Sequence, residues 1–67
     1  MNDRQRIDLL LHMLLELANA VVAVRGMAMA IKNGDAAEET RTFDVSVQFI
    51  NDLLSDVSKM RADNAEK

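Results

Sequence analysis

His12 and Glu16 are the side chains in this sequence that most directly suggest chemistry. At i and i+4 on a helix they share a face, a spacing that can hold a metal ion. A two-fold axis would double the set to two histidines and two glutamates. Within one chain, one imidazole and one carboxylate are too few ligands. The expectation is therefore a hydrogen bond or ion pair beside a core, with no metal and no cofactor. His12 is the only histidine, cysteine is absent, and no nucleophile stands in an obvious relation to that histidine. Gly26 and Gly34 are isolated, so there is no glycine-rich phosphate loop. A non-enzymatic protein is expected.

Two further groups could recognise a partner. Arg25 interrupts a long apolar run, and Val45 and Phe49 lie off the main apolar stripe of the second half of the chain. Aromatic residues are common anchors of protein interfaces, so Arg25, Val45 and Phe49 form the candidate partner-binding set. The expected structural contact of Arg25 is a salt bridge to Asp44 or stacking on Phe43. Arg4, Arg6, Lys59 and Arg61 gather near the two ends of the chain and form the candidate nucleic-acid set. Acidic residues are mixed among them and the net charge is −3, which disfavours phosphate binding.

The elements that must position these residues follow from apolar periodicity. With Ile7 at position a of a heptad, the a and d positions run Ile7, Leu10, Leu14, Leu17, Val21, Val24, Ala28 and Ile31, all apolar. Apolar residues spill onto the flanking positions too, so this helix should be surrounded rather than laid on a surface. His12, Glu16, Asn19 and Arg25 lie within the run, which disfavours a membrane span. No secretory signal is read, and a cytoplasmic location is expected.

Asn2 with Gln5 predicts a capping box at the start of this helix. Lys32-Asn33-Gly34-Asp35 predicts its end, with Gly34 left-handed and Asp35 opening a second helix. The sequence therefore predicts an all-α fold in one domain, 1–67. Helix 1 covers about 3–32, the turn 33–35, helix 2 about 36–62, and a frayed tail 63–67. The stripe of helix 2 expected to face helix 1 is Ala36, Thr40, Phe43, Val47, Ile50, Leu54, Val57 and Met60. The alternation over 42–50 also fits a strand in an intermolecular ribbon, but the helical period continues on both sides.

Such an antiparallel hairpin leaves helix 1 under-covered. It is expected to self-associate into a dimeric four-helix bundle with helix 1 at the centre, a tetramer being an extension of the same surface. The expected interface is Leu10, Met13, Leu14, Leu17, Val21, Val24 and Ala28. The expected role is a small protein-binding regulator or adaptor acting as a homodimer, such as a phage- or plasmid-type inhibitor or a secretion-type chaperone. The alternatives are a nucleic-acid-associated regulator and a structural assembly subunit.

Overall fold

The computed structural model describes residues 1–65, with side chains described through Asn64. Two helices, α1 (Asp3–Asn33) and α2 (Ala36–Ala65), pack side by side as an antiparallel hairpin. Local chemistry sets each boundary. The Gln5 amide donates to Asn2 Oδ1 at 2.8 Å and the Asn2 amide donates to Gln5 Oε1 at 3.0 Å, so the capping box is complete. Gly34 takes φ 70°, ψ 25°. Its amide donates to the Ile31 carbonyl at 3.2 Å and that of Asp35 donates to Ala30 at 2.9 Å, which closes α1 in a Schellman motif. Asp35 Oδ1 then accepts from the Glu38 amide at 3.1 Å and caps α2. Residues 42–50 are helical throughout, so the strand alternative is excluded.

Helix 2 is longer than the sequence suggested. Asp63, expected to fray, is helical and only partly exposed. Arg6 holds it through two bonds, Nε at 3.0 Å and Nη2 at 2.8 Å, and the Met1 amine reaches it at 2.8 Å. These contacts tie the open end of the hairpin together. The rest of the expected tail, 66–67, lies outside the described residues.

The seam between the helices differs from the expected one. On α1 the residues turned toward α2 are Leu9, Met13, Glu16, Ala20, Ala23, Met27 and Ala30, at alternating spacings of three and four. On α2 they are Thr42, Ser46, Phe49, Leu53, Asp56, Met60 and Asp63. The a/d row of α1 is left outside, as are Phe43, Val47, Ile50 and Leu54, which the sequence reading had turned toward α1. The reason is closeness of approach. Alanines let the second helix come near, and a Cβ added at Gly26 would meet Thr42 Cγ2 at 3.3 Å. The hydroxyls in the seam cost little, because they bond their own helix. Thr42 Oγ1 donates to the Glu38 carbonyl at 2.7 Å, and Ser46 Oγ donates to Phe43 at 2.7 Å.

The consequence is a hairpin with only a thin hydrophobic core of its own. Its fully buried apolar residues, among those described, are Ala20, Ala23 and Ala30, and no large side chain is fully enclosed. The molecule is a rod of 50 × 16 × 12 Å with a radius of gyration of 15.2 Å. A compact chain of this length would have about 11 Å. α1 is also long and apolar enough to cross a membrane by length and composition, and only 17% of its most apolar window is buried.

Candidate functional site

Three surfaces flank the seam. At about 100° per residue, Leu10, Leu14, Leu17, Val21 and Val24 of α1 fall on one side of the hairpin. Phe43, Val47, Ile50 and Leu54 of α2 fall on that same side, and all nine are exposed. Together they make a continuous apolar face two helices wide. Two shallow grooves run along it between the helices. One is lined by Leu10, Met13, Leu14, Leu17 and Leu53, the next by Leu17, Ala20, Val21, Val24 and Ile50. Of the expected interface residues, Leu10, Met13, Leu14, Leu17, Val21 and Val24 thus line grooves on one face. Met13 is shared with the seam, and Ala28 is exposed outside these grooves.

The second surface is the outer strip of α1, turned away from α2. It carries Leu11, Leu15, Val22 and Met29, all exposed. The matching strip of α2 is polar, with Thr40, Asp44, Asn51 and Ser58. The two helices are therefore unequal, and the apolar surplus belongs to α1.

The third surface lies on the side opposite the apolar face. Near the turn, Arg25, Val45 and Phe49 line one groove of about 370 Å³, together with Val22, Gly26, Met29 and Arg41. The expected salt bridge of Arg25 to Asp44 or stacking on Phe43 is not formed. Phe43 lies on the apolar face, and among the described residues Arg25 forms no ion pair. Arg25 lines the groove on the side of α2 opposite Phe43. Arg41 Nε donates to Glu38 Oε2 at 2.9 Å, and this pairing holds the Glu38 carboxyl below its usual range.

Further along the same side stands a cluster that includes a residue the sequence reading had not connected to it. His12 Nε2 is 3.5 Å from Glu16 Oε1 and 3.7 Å from Asp56 Oδ2, and Lys59 Nζ is 3.5 Å from Asp56 Oδ1. A cleft of about 230 Å³, also lined by Asp52 and Ser55, opens beside them. Glu16 is 4% exposed, and neither of its carboxylate oxygens has a hydrogen-bond partner in its ionised form. A proton placed on Glu16 would be shared with Asp56. That bond, followed by burial, pushes the Glu16 carboxyl above its ordinary value and holds Asp56 below its own. The signal for Asp56 was available: a turn at Gly34 brings it level with His12, just as it brings Asp63 level with Arg6.

The candidate nucleic-acid set is partly occupied by internal pairing. Arg6 is bonded to Asp63 and Lys59 is paired with Asp56, which leaves Arg4 and Arg61 without ion pairs among the described residues. No protein-family description, curated protein or solved structure matches this chain.

Proposed function

We propose that this chain is a small, non-enzymatic, protein-binding adaptor or regulator that acts as a homodimer. The observation that carries the reading is the apolar face formed by Leu10, Leu14, Leu17, Val21 and Val24 with Phe43, Val47, Ile50 and Leu54. It lies on a hairpin whose seam fully encloses only alanines, hydroxyls and carboxylates, its larger apolar side chains being half-buried. Large aliphatic side chains in water are unfavourable at about 25 cal/mol per Å².

A second copy is the occupant that fits the area. The accessible surface is 5045 Å². A compact monomer of this mass would expose about 4,200 Å². The excess, roughly 800 Å², is what one partner contributes to a standard protein interface. A two-fold axis through the apolar face sets its grooves and ridges against an identical set and makes a four-helix bundle. The outer strips of both helices, polar on α2 and apolar on α1, then stay outside this interface.

Dimerisation through this face leaves the groove of Arg25, Val45 and Phe49 and the adjoining Val22 and Met29 open on the other side. An aromatic residue, aliphatic neighbours and Arg25, with Arg41 already answered by Glu38, suit an amphipathic segment of another protein carrying an acidic residue. The internal pairing of Arg6 and Lys59 weighs against the nucleic-acid reading.

Affinity capture from the native host with wild type beside Phe49→Ala tests the groove, and sedimentation with each variant controls for assembly. The reading expects proteins retained by wild type and lost by Phe49→Ala, with both chains dimeric. Equal retention by both would remove the groove from the account. Co-sedimentation of the wild type with anionic or neutral lipid vesicles in place of self-association would assign the apolar face to a bilayer and overturn the dimer.

A further inference from the structure

We propose that His12, Glu16 and Asp56 form a divalent-metal site of the zinc class that clips α1 to α2 on the polar side of the hairpin. Each of the three offers one ligand atom, and these atoms all lie within 4.8 Å of one another. Ligand atoms at 2.0–2.1 Å from a tetrahedral zinc ion stand about 3.4 Å apart. The observed separations of 3.5 and 3.7 Å from His12 Nε2 to the two carboxylates are within a few tenths of an ångström of that figure.

The independent pointer to a ligand is Glu16. Its carboxyl group is almost wholly enclosed in the seam, it is aimed at the cluster, and both of its oxygens lack a partner. Buried carboxylates in folded proteins are normally paired or coordinate a metal. Lys59 answers only Asp56 and does so from an exposed position. A dication between Glu16, Asp56 and the imidazole would balance both carboxylates at once.

Access and ligand type also fit. The His12 side chain is 61% exposed, and the cleft beside it gives the ion a path from solvent. Three protein ligands leave a fourth position for water, with Asp52 on the same cleft. One imidazole with two carboxylates suits zinc or a neighbouring transition ion better than calcium or magnesium, which take oxygen ligands. The ligands come from both helices, so binding adds a cross-link between α1 and α2 near the middle of the rod. The site lies on the side opposite the apolar face, so a partner seated on that face leaves it open.

The test is calorimetric titration of Zn²⁺ into the full chain, stripped with a chelator and dialysed into a non-coordinating buffer at about pH 7.5, where metal binding displaces protons from its ligands. Cobalt(II) absorption gives a second readout of coordination. The expected result is saturation at one ion per chain, with affinity at least tenfold weaker in His12→Ala and in Asp56→Asn. Asp8→Asn, which removes an exposed carboxylate outside the cluster, should bind as the wild type does. His12 is exposed, so its replacement leaves the fold intact and keeps the comparison valid. Leu17→Ala, titrated at a concentration where circular dichroism shows it fully helical, should bind zinc as the wild type does, which separates failure of this site from failure of the dimer reading. Absence of saturable binding by the wild type overturns the proposal. So does His12→Ala binding as tightly as wild type, which would mark the uptake as scattered carboxylate binding.

Discussion

Leu17 lines both grooves on the apolar face and stands at its centre, so it is the position where the proposed dimer is most sensitive. Its side chain is 48% exposed in the single hairpin. Replacing it with alanine removes three carbon groups worth about 0.8 kcal/mol each when fully buried. Roughly half of that burial is left for a partner to supply, so the loss is about 1 kcal/mol per chain. A two-fold dimer carries the change twice, which gives about 2 kcal/mol and a roughly 30-fold weaker dissociation constant. Sedimentation equilibrium over a range of concentrations measures it. Leu11→Ala on the outer strip of α1 is the matched control, because Leu11 is more exposed than Leu17 yet lies off the face. The control should move the constant by less than about threefold, a shift well under 1 kcal/mol. If Leu17→Ala changes nothing, or if Leu11→Ala changes as much, the assignment of the interface to the apolar face is wrong.

Three further outcomes follow from the hairpin itself. Gly26→Leu should lower stability by about 1–3 kcal/mol in urea unfolding, because a large side chain has no room against Thr42. Gly26→Ala should be nearly neutral there, since a helix-propensity gain of about 1 kcal/mol opposes the tight contact. Gly34→Ala should cost about 1–2 kcal/mol in the same assay, because alanine is strained at φ 70°. The third outcome concerns acid. The Met1 amine and then Arg6 hold the Asp63 carboxyl below its ordinary 3.8, so its contribution is complete above that value and is lost as pH falls through the depressed one. Urea midpoints should therefore fall more steeply in the wild type than in Asp63→Asn as pH drops below about 4. Parallel curves would show that the tie at the open end contributes nothing.

Much of the fold was legible because its signals are local. Asn2, Gln5, Gly34 and Asp35 set helix ends through bonds to neighbours a few residues away, and the structure shows those bonds. Heights along the hairpin were legible too, since a turn at Gly34 fixes which residues stand level. What the sequence did not disclose is which face of each helix meets the other. The a/d row of α1 is the strongest apolar stripe, but strength of a stripe says how much surface needs covering, not what covers it. The row Met13, Glu16, Ala20, Ala23, Met27 and Ala30 has the same heptad spacing with smaller residues, and α2 takes it because close approach is possible there. The same rotation turned Phe49 into the seam, sent Phe43 out, and brought Asp56 against His12 and Glu16. The sequence reading of His12 reached Glu16 on its own helix, whereas the third member of the cluster, Asp56, comes from the other helix and stands 3.7 Å from His12 Nε2.

The central claim is that the hairpin is half of a bundle, and the mass of the wild-type chain in solution tests it most directly. Sedimentation velocity at micromolar concentration, with helicity followed by circular dichroism on the same dilutions, should give a helical species of about 15 kDa, twice the 7.5 kDa of one chain. Helicity should fall together with the dimer on dilution, because the seam alone buries too little apolar surface to hold two helices. A fully helical species of 7.5 kDa that persists at high dilution would contradict the account.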